Sequence, residues 1–384
     1  MMVTRRSFVS ALAGVAASAA LPRTIHAQRR PTINVRKLGA AGNGTVSDLE
    51  YVRAAVETAA GYGHGATVYF PPGEYFLGRA NDSLLVNVSK LTDITFIGER
   101  ATISCRSLKG SSSMLVFAGC RNVRLEGLAF RDHGLNREVN WLGAAAIRLV
   151  NQGNAACEDV EIRNCTFDSV LSAFVCRSWD GIAGCRGITL TDLSVTHSYY
   201  GFSFQDAGDD VVGRGLRCQD VKRSYFPYGV SSHDIELDTR DNASGFTDVL
   251  IKCYRTDTSS LKVKVRCRGK RSGDAIVALD HQHELGRGTM RDIQIDLDVD
   301  DADCRLDTVL LIRSFDPKAK VERETGNRWD RIAIDGEVRI CERTKLVDIV
   351  SVSRTPGRIS IGPRLLRNPR LPKILPGFVS ATAK

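Results

Sequence analysis

Aromatic side chains make up only 7% of the 384 residues, with 3 tryptophans and 4 methionines. So few bulky rings, set among 34 glycines, fit a chain of short strands and many turns. None of the 11 cysteines forms a CxxC pair, which removes zinc-ribbon and thioredoxin-like readings. Beyond the N-terminal segment no apolar run is long enough to cross a bilayer as a helix. A dense Leu-x-x-Leu-x-Leu frame is also missing, which excludes leucine-rich repeats. The charge bias is modest, 53 basic against 44 acidic side chains, and the basic ones are dispersed. Nucleic acid is therefore not the expected partner, whereas an anionic polymer is compatible.

The chain opens as an export signal. Thr4-Arg5-Arg6-Ser7-Phe8-Val9 precedes an apolar, small-residue run from Ser10 to Leu21, and Ile25-His26-Ala27 offers a cleavage site. The paired arginines resemble a twin-arginine signal. The expectation is a signal peptide at 1–27, a partnership with the twin-arginine export machinery, and a periplasmic or secreted protein without stable membrane insertion. A mature chain lacking Arg5, Arg6 and Arg23 would carry 50 basic and 44 acidic side chains, net +6. Folding before export, in a reducing compartment, predicts mostly free, buried thiols.

A short pattern then recurs: a turn or polar residue, then apolar, any, apolar. It appears at Asp93-Ile94-Thr95-Phe96, Asn122-Val123-Arg124-Leu125, Asp159-Val160-Glu161-Ile162 and Gly187-Ile188-Thr189-Leu190. It continues at Gly215-Leu216-Arg217-Cys218, Asp248-Val249-Leu250-Ile251, Asp292-Ile293-Gln294-Ile295, Arg331-Ile332-Ala333-Ile334 and Arg358-Ile359-Ser360-Ile361. Successive copies lie 27 to 44 residues apart and cluster near 28. The alternation puts both apolar side chains on one face of a strand. A period with a floor in the twenties predicts an all-β fold, a right-handed single-stranded parallel β-helix over 28–366. Solenoids need covered ends. Residues 48–61 read as an amphipathic capping helix, with Asp48 or Ser47 as N-cap, Gly61 as stop, and Leu49, Val52, Val56 and Ala59 or Ala60 as its apolar stripe. Residues 367–384 read as an irregular tail.

The segment Asn34-Val35-Arg36-Lys37-Leu38-Gly39-Ala40-Ala41-Gly42-Asn43-Gly44, followed by that helix and by Gly65-Ala66-Thr67-Val68-Tyr69-Phe70-Pro71-Pro72-Gly73-Glu74-Tyr75, resembles the opening of pectate-lyase-superfamily β-helices. Asn43 stands where that family usually has Asp, a departure at the cap. The resemblance implies the solenoid fold and a polysaccharide substrate. Polygalacturonases, rhamnogalacturonases, pectate lyases and uronate epimerases share it, so it implies no single reaction.

Hydrolysis of a glycosidic bond needs a proton donor and a second carboxylate. Gln205-Asp206-Ala207-Gly208-Asp209-Asp210 is the densest acidic stretch, making Asp206, Asp209 and Asp210 the candidate catalytic carboxylates. His233 lies 23 residues after Asp210, about one rung on, and is expected beside them. Asp-Asp followed by His resembles polygalacturonases, although their Gly-His-Gly is here Ser-Ser-His-Asp. Lys222, Arg223, Lys264 and Arg266 are candidates to neutralise a uronate carboxylate, Tyr225 and Tyr228 (with Phe226 and Trp179) to stack on sugar rings, and Asp234 to share the strand of His233. The mundane alternative for the aspartates is an acidic turn. No cofactor is expected; Ca²⁺ enters only with an elimination reaction, held by the acidic cluster. Asp280-His281-Gln282-His283-Glu284 lacks a third metal ligand and reads as a histidine-bearing loop. The expected function is cleavage of an acidic glycan by hydrolysis. The alternatives are a β-eliminating lyase or epimerase, and a non-catalytic carbohydrate-binding solenoid.

Overall fold

The polar residue that opens each repeat has a left-handed backbone. Asp93, Asn122, Asp159, Gly187, Asp210, Ser232, Ser260, Asp292 and Arg331 all have φ between 51° and 66°. Glycine, asparagine and aspartate tolerate this conformation best, so they recur where the chain must turn before re-entering a sheet. The strand that follows each one pairs in parallel with the strands one coil before and one coil after. The result is a right-handed parallel β-helix. The computed structural model describes the chain from residue 30 to 381, less residues 64, 80–83, 109, 111, 136–143, 179–183, 243–248, 255–258, 283–288, 302–304, 316–327, 351–358 and 370–378. The export signal read at 1–27, Trp179, and the side chains of His281 and His283 lie outside the described residues.

Register turns the repeat into columns. Val123, Val160, Ile188, Val211, His233, Leu261, Ile293, Ile332 and Ile359 stack in one inward column of the first sheet, sheet A. Two of the nine strands read from sequence are thereby corrected. Leu216 is not on this column; it follows a second left-handed corner, formed at Asn164, Asp192 and Gly215, and pairs with Leu237. Ile251 belongs to the other sheet, sheet B, opposite Tyr225. The true members, Val211, His233 and Leu261, were concealed because one of them is a histidine and because Gly213 occupies the partner column. The shortest coils in this column are consequently 23 and 22 residues, from 188 to 211 and from 211 to 233, rather than 28.

Sheet B has a different character. Its strands Ser113–Ala118, Ala145–Val150, Ser172–Arg177 and Tyr200–Gln205 are buried at nearly every position, not at alternate ones. Leu115, Ile147, Phe174, Phe202, Tyr225 and Ile251 form its inward column. A sheet covered on both faces reads as a continuous apolar run. Sheet A alternates because its outer face is wet. There, ladders of opposite charge join successive rungs, as in Arg121–Glu158–Arg186 and Arg163–Glu126.

The ends are closed as expected at one side. Helix α1 (Leu49–Gly61) buries Val52, Ala55, Val56 and Ala59 against the first coils. Asp48 does not cap α1 with its side chain. Its carboxylate, fully buried, accepts the N–H groups of Ala41 at 2.6 Å and Gly42 at 3.1 Å. Ser47 Oγ instead accepts the N–H of Leu49 at 3.4 Å. At the other end helix α2 (Pro363–Leu366) is followed by a strand, Val379–Ala381, which pairs with Ile359–Ile361. The sheet thus reaches into the stretch read as an irregular tail. Among the described cysteines nine are buried and Cys341 is half-buried, in keeping with small apolar core residues.

Candidate functional site

The structure does not gather Asp206, Asp209, Asp210 and His233 into one cluster. Asp206 and Asp210 are exposed left-handed turn residues with φ of 49° and 54°, each at a different corner of the coil. Asp209 is half-buried, and its Oδ1 accepts the backbone N–H of Ser231 at 2.9 Å and the Ser231 hydroxyl at 2.6 Å. His233 points inward and is 1% exposed. Its Nε2 lies against the Gly208 carbonyl, which can only accept, so Nε2 carries the proton and Nδ1 accepts from the Tyr225 hydroxyl at 2.5 Å. Burial depresses its pKa to about 4, with Gly208 and Asp209 opposing. A neutral, fully bonded imidazole in the core cannot touch a polymer in solvent. These aspartates equally make no Ca²⁺ cage, because their carboxylates do not converge on one point.

The candidate substrate residues divide between two faces. Asp234, Lys264 and Arg266 stand on the outer face of sheet A; Asp234 and Lys264 line an open groove of about 400 Å³ with Glu236, Lys262 and Asp296, and Arg266 lines a neighbouring hollow. Asp234 is paired to Arg214 at 2.7 Å and Arg266 to Asp298 at 3.3 Å. This is a solvated lattice of charge ladders. Tyr225 turns inward and is buried, so it does not reach a sugar. Lys222 donates to the Tyr199 hydroxyl and lies 4.2 Å above that ring. Arg223 is 8% exposed, with its guanidinium over Phe226 at 5.0 Å and Tyr200 at 5.3 Å. Tyr228 stays half-buried on the outer face of sheet B.

That outer face carries the polar groups that most need explaining. Arg148 replaces an aliphatic residue in a row that runs Val116, Arg148, Val175, Ser203, Phe226. It is 5% exposed, and its Nε and Nη2 have no hydrogen-bond partner. Burial, then the neighbouring Arg177, lowers its pKa to about 10, so it remains a cation at neutral pH. The adjacent row runs Arg177, Gln205, Tyr228, Tyr254, Asp280. Arg177 is half-buried and its pKa is likewise lowered by burial, with Asp206 and Tyr228 opposing. At the far end Asp280 is fully buried and pairs with Lys252 Nζ at 3.2 Å. Desolvating a cation without a counter-charge is expensive. Arg177 has the Asp206 carboxylate near it, so Arg148 is the cation left calling for an anion. Chemically, the row offers an oxyanion seat at one end, amide and phenol groups in the middle, and a carboxylate–ammonium couple at the other.

Sequence reasoning passed over Arg148, Arg177 and Lys252, and noted Asp280 only beside a histidine pair. A usable signal was present. Each interrupts a run with no polar alternation: Ala-Ala-Ala-Ile-Arg148-Leu, Ala-Phe-Val-Cys-Arg177, Val-Leu-Ile-Lys252-Cys and Val-Ala-Leu-Asp280. A charge inside a strand covered on both faces is a buried charge, and buried charges are rare unless paired or functional. Among the described residues no group of three or more His, Cys, Asp or Glu side chains is placed to hold a metal ion.

No family model matches the sequence, and no curated protein matches it. Solved structures do match in shape. A 1,3-α-1,4-β-D-galactose-4-sulfate-3,6-anhydro-D-galactose-2-sulfate 4 galactohydrolase has 10% identity over 80% of this chain and 71% of its own, with a TM-score of 0.49. A Streptococcus pneumoniae surface adhesin has 14% identity over 86% of this chain and 90% of its own, at 0.42. The A-module of an Azotobacter vinelandii mannuronan C-5 epimerase has 15% identity over 91% of this chain and all of its own (100%), at 0.36. None of these likenesses bears on a reaction.

Proposed function

We propose that the protein is an exported enzyme acting on an anionic glycan, whose acidic groups are met by the cations of sheet B. The observation that carries this is Arg148: a buried guanidinium whose Nε and Nη2 lack partners, beside Arg177. A carboxylate or sulfate ester accepts from such donors in the strongest class of hydrogen bond. Tyr228, half-buried further along the row of Arg177, suits the flat face of a sugar ring. Lys252, with 13% of its side chain exposed, is held at 3.2 Å by the fully buried Asp280 and adds a further cation near the acidic groups of such a glycan. The segment at 1–27 supports action outside the cytoplasm.

The test is to incubate the purified protein with pectic, alginate and sulfated polysaccharides while following reducing ends and the ultraviolet absorbance of unsaturated uronates. Reducing ends with absorbance mean elimination; reducing ends alone mean hydrolysis. Binding without either leaves a carbohydrate-binding solenoid, and the absence of any binding to an anionic glycan sinks the proposal.

A further inference from the structure

Three cysteines stand one above another where the chain leaves sheet B and enters sheet A. Cys120, Cys157 and Cys185 each come one residue before a sheet A strand. The backbone fixes their register: the Cys120 carbonyl accepts the N–H of Glu158 at 2.9 Å, and the Cys157 carbonyl that of Arg186 at 3.0 Å. Leu91 bounds the column on one side, its carbonyl accepting the N–H of Arg121, and Gly208 bounds it on the other, its N–H donating to the Cys185 carbonyl. All three side chains are fully buried. The Cys157 thiol meets those of both Cys120 and Cys185, and its Sγ accepts the Cys120 N–H at 3.4 Å. Stacked positions in a parallel sheet lie about 4.8 Å apart, inside the window of about 4.4 to 6.8 Å between Cα atoms that a disulfide spans. We infer that Cys120, Cys157 and Cys185 form a redox site that closes into one disulfide, always through Cys157, and staples two coils of the solenoid together.

Cys157 is the shared partner because Cys120 and Cys185 lie two rungs apart, about 9.6 Å, beyond the reach of a disulfide. The oxidant is a disulfide carrier, small molecule or protein. The Cys157 thiolate attacks one carrier sulfur and releases the other as a thiolate. The thiolate of Cys120 or Cys185 then attacks the Cys157 sulfur and expels the second carrier sulfur. Two protons leave the cysteine thiols and two electrons pass to the carrier, whose S–S bond becomes two S–H groups. The closed fold resists the first step, because only the thiolate attacks. The Cys157 thiol is pushed up to about 12: contact with Cys120 lowers it, but contact with Cys185 and burial raise it further. Reaction therefore passes through local opening of the coil. The exposed turn Gln152–Ala155 ends two residues before Cys157 and is closed by two backbone hydrogen bonds, at 2.8 and 3.2 Å. Cys157 is 37 residues from Cys120 and 28 from Cys185. A bridge across either coil restricts the unfolded chain and so stabilises the fold.

The test equilibrates the full chain with oxidised glutathione, in urea just below the unfolding transition where coils open more often, and reads the intact mass. A loss of about 2 Da, the two thiol hydrogens, is expected. Digestion without reductant should give a cross-linked peptide pair that joins Cys157 to Cys120 or to Cys185. The bridged protein should unfold at a higher urea concentration than the reduced one, and dithiothreitol should reverse both changes. Cys157→Ala should keep its mass, whereas Cys120→Ala and Cys185→Ala should each still form one bridge. If a variant does not fold, the wild-type peptide map decides alone. No loss of mass, a bridge that omits Cys157, or a bridged protein no harder to unfold overturns the inference.

Discussion

The Tyr225 hydroxyl donates a 2.5 Å hydrogen bond to Nδ1 of His233, and both side chains are closed off from solvent. The pair sits where the two sheets meet, with the imidazole edge-on to Phe204 at 4.8 Å between ring centres. An imidazole in an aliphatic column is tolerable only while it stays neutral, since its two nitrogens are then matched to one acceptor and one donor.

That neutrality makes the fold acid-sensitive. The His233 pKa falls from an unfolded value of 6.5 to about 4 because burial penalises the cation. The unfolded chain therefore binds more protons between those values, and stability rises with pH across that window. Stability on this account is undiminished above pH 6.5 and declines as pH falls, the loss reaching about 3 kcal/mol once the pH is below 4. Urea titrations at pH 7 and pH 4.5 measure it. His233→Phe should be less stable than wild type at pH 7, because the Gly208 carbonyl and the Tyr225 hydroxyl lose their partner. It should also lose most of the decline between the two pH values; an unchanged decline would assign the acid sensitivity elsewhere.

Asp48→Ala should cost about 2 kcal/mol, since it orphans the buried N–H of Gly42 and the part-buried N–H of Ala41 at once. The residue ties the turn at Ala41 and Gly42 to the start of α1, so the damage is local to the N-terminal cap. Hydrogen exchange should quicken in Val52–Ala59 and in the first strands well before the later coils. Uniform loss of protection would show that the cap and the solenoid unfold as one unit.

Gly336 has φ of 145°, and a Cβ there would lie 2.0 Å from the Leu297 carbonyl oxygen and 2.6 Å from the Leu297 nitrogen. Both obstacles are backbone atoms in the neighbouring strand and cannot step aside. Gly336→Ala is therefore expected to cost at least about 3 kcal/mol, combining backbone strain with steric overlap. A melting temperature within a degree or two of wild type would mean that the coil relaxes more than its ladder suggests.

The sheet A strands were legible because the period-two pattern survives wherever one face is wet. Val123, Val160, Ile188, Ile293 and Ile332 stack as the repeat predicted. It failed where function-neutral packing broke the rule: His233 and Gly213 fill inward positions, and Gly215, a corner residue, mimics the start of a rung. The acidic stretch misled for a related reason. Asp206 and Asp210 are aspartates because a left-handed corner accepts aspartate, not because a substrate needs carboxylates there. Sheet B gave no alternation to read, so Arg148, Arg177, Lys252 and Asp280 could be recognised only from a charge embedded in an apolar run.

Lys252 and Asp280 are close enough, at 3.2 Å, and buried enough, at 13% and 0% side-chain exposure, for each to depend on the other. Removing one partner leaves the other charge in a poorly solvated site, whereas removing both leaves none. Lys252→Met and Asp280→Asn should each destabilise the protein by about 3 kcal/mol, and the double variant should cost about 2 kcal/mol less than their sum. Denaturant midpoints for the four proteins close this cycle. A coupling near zero would mean that water reaches the pair and screens it.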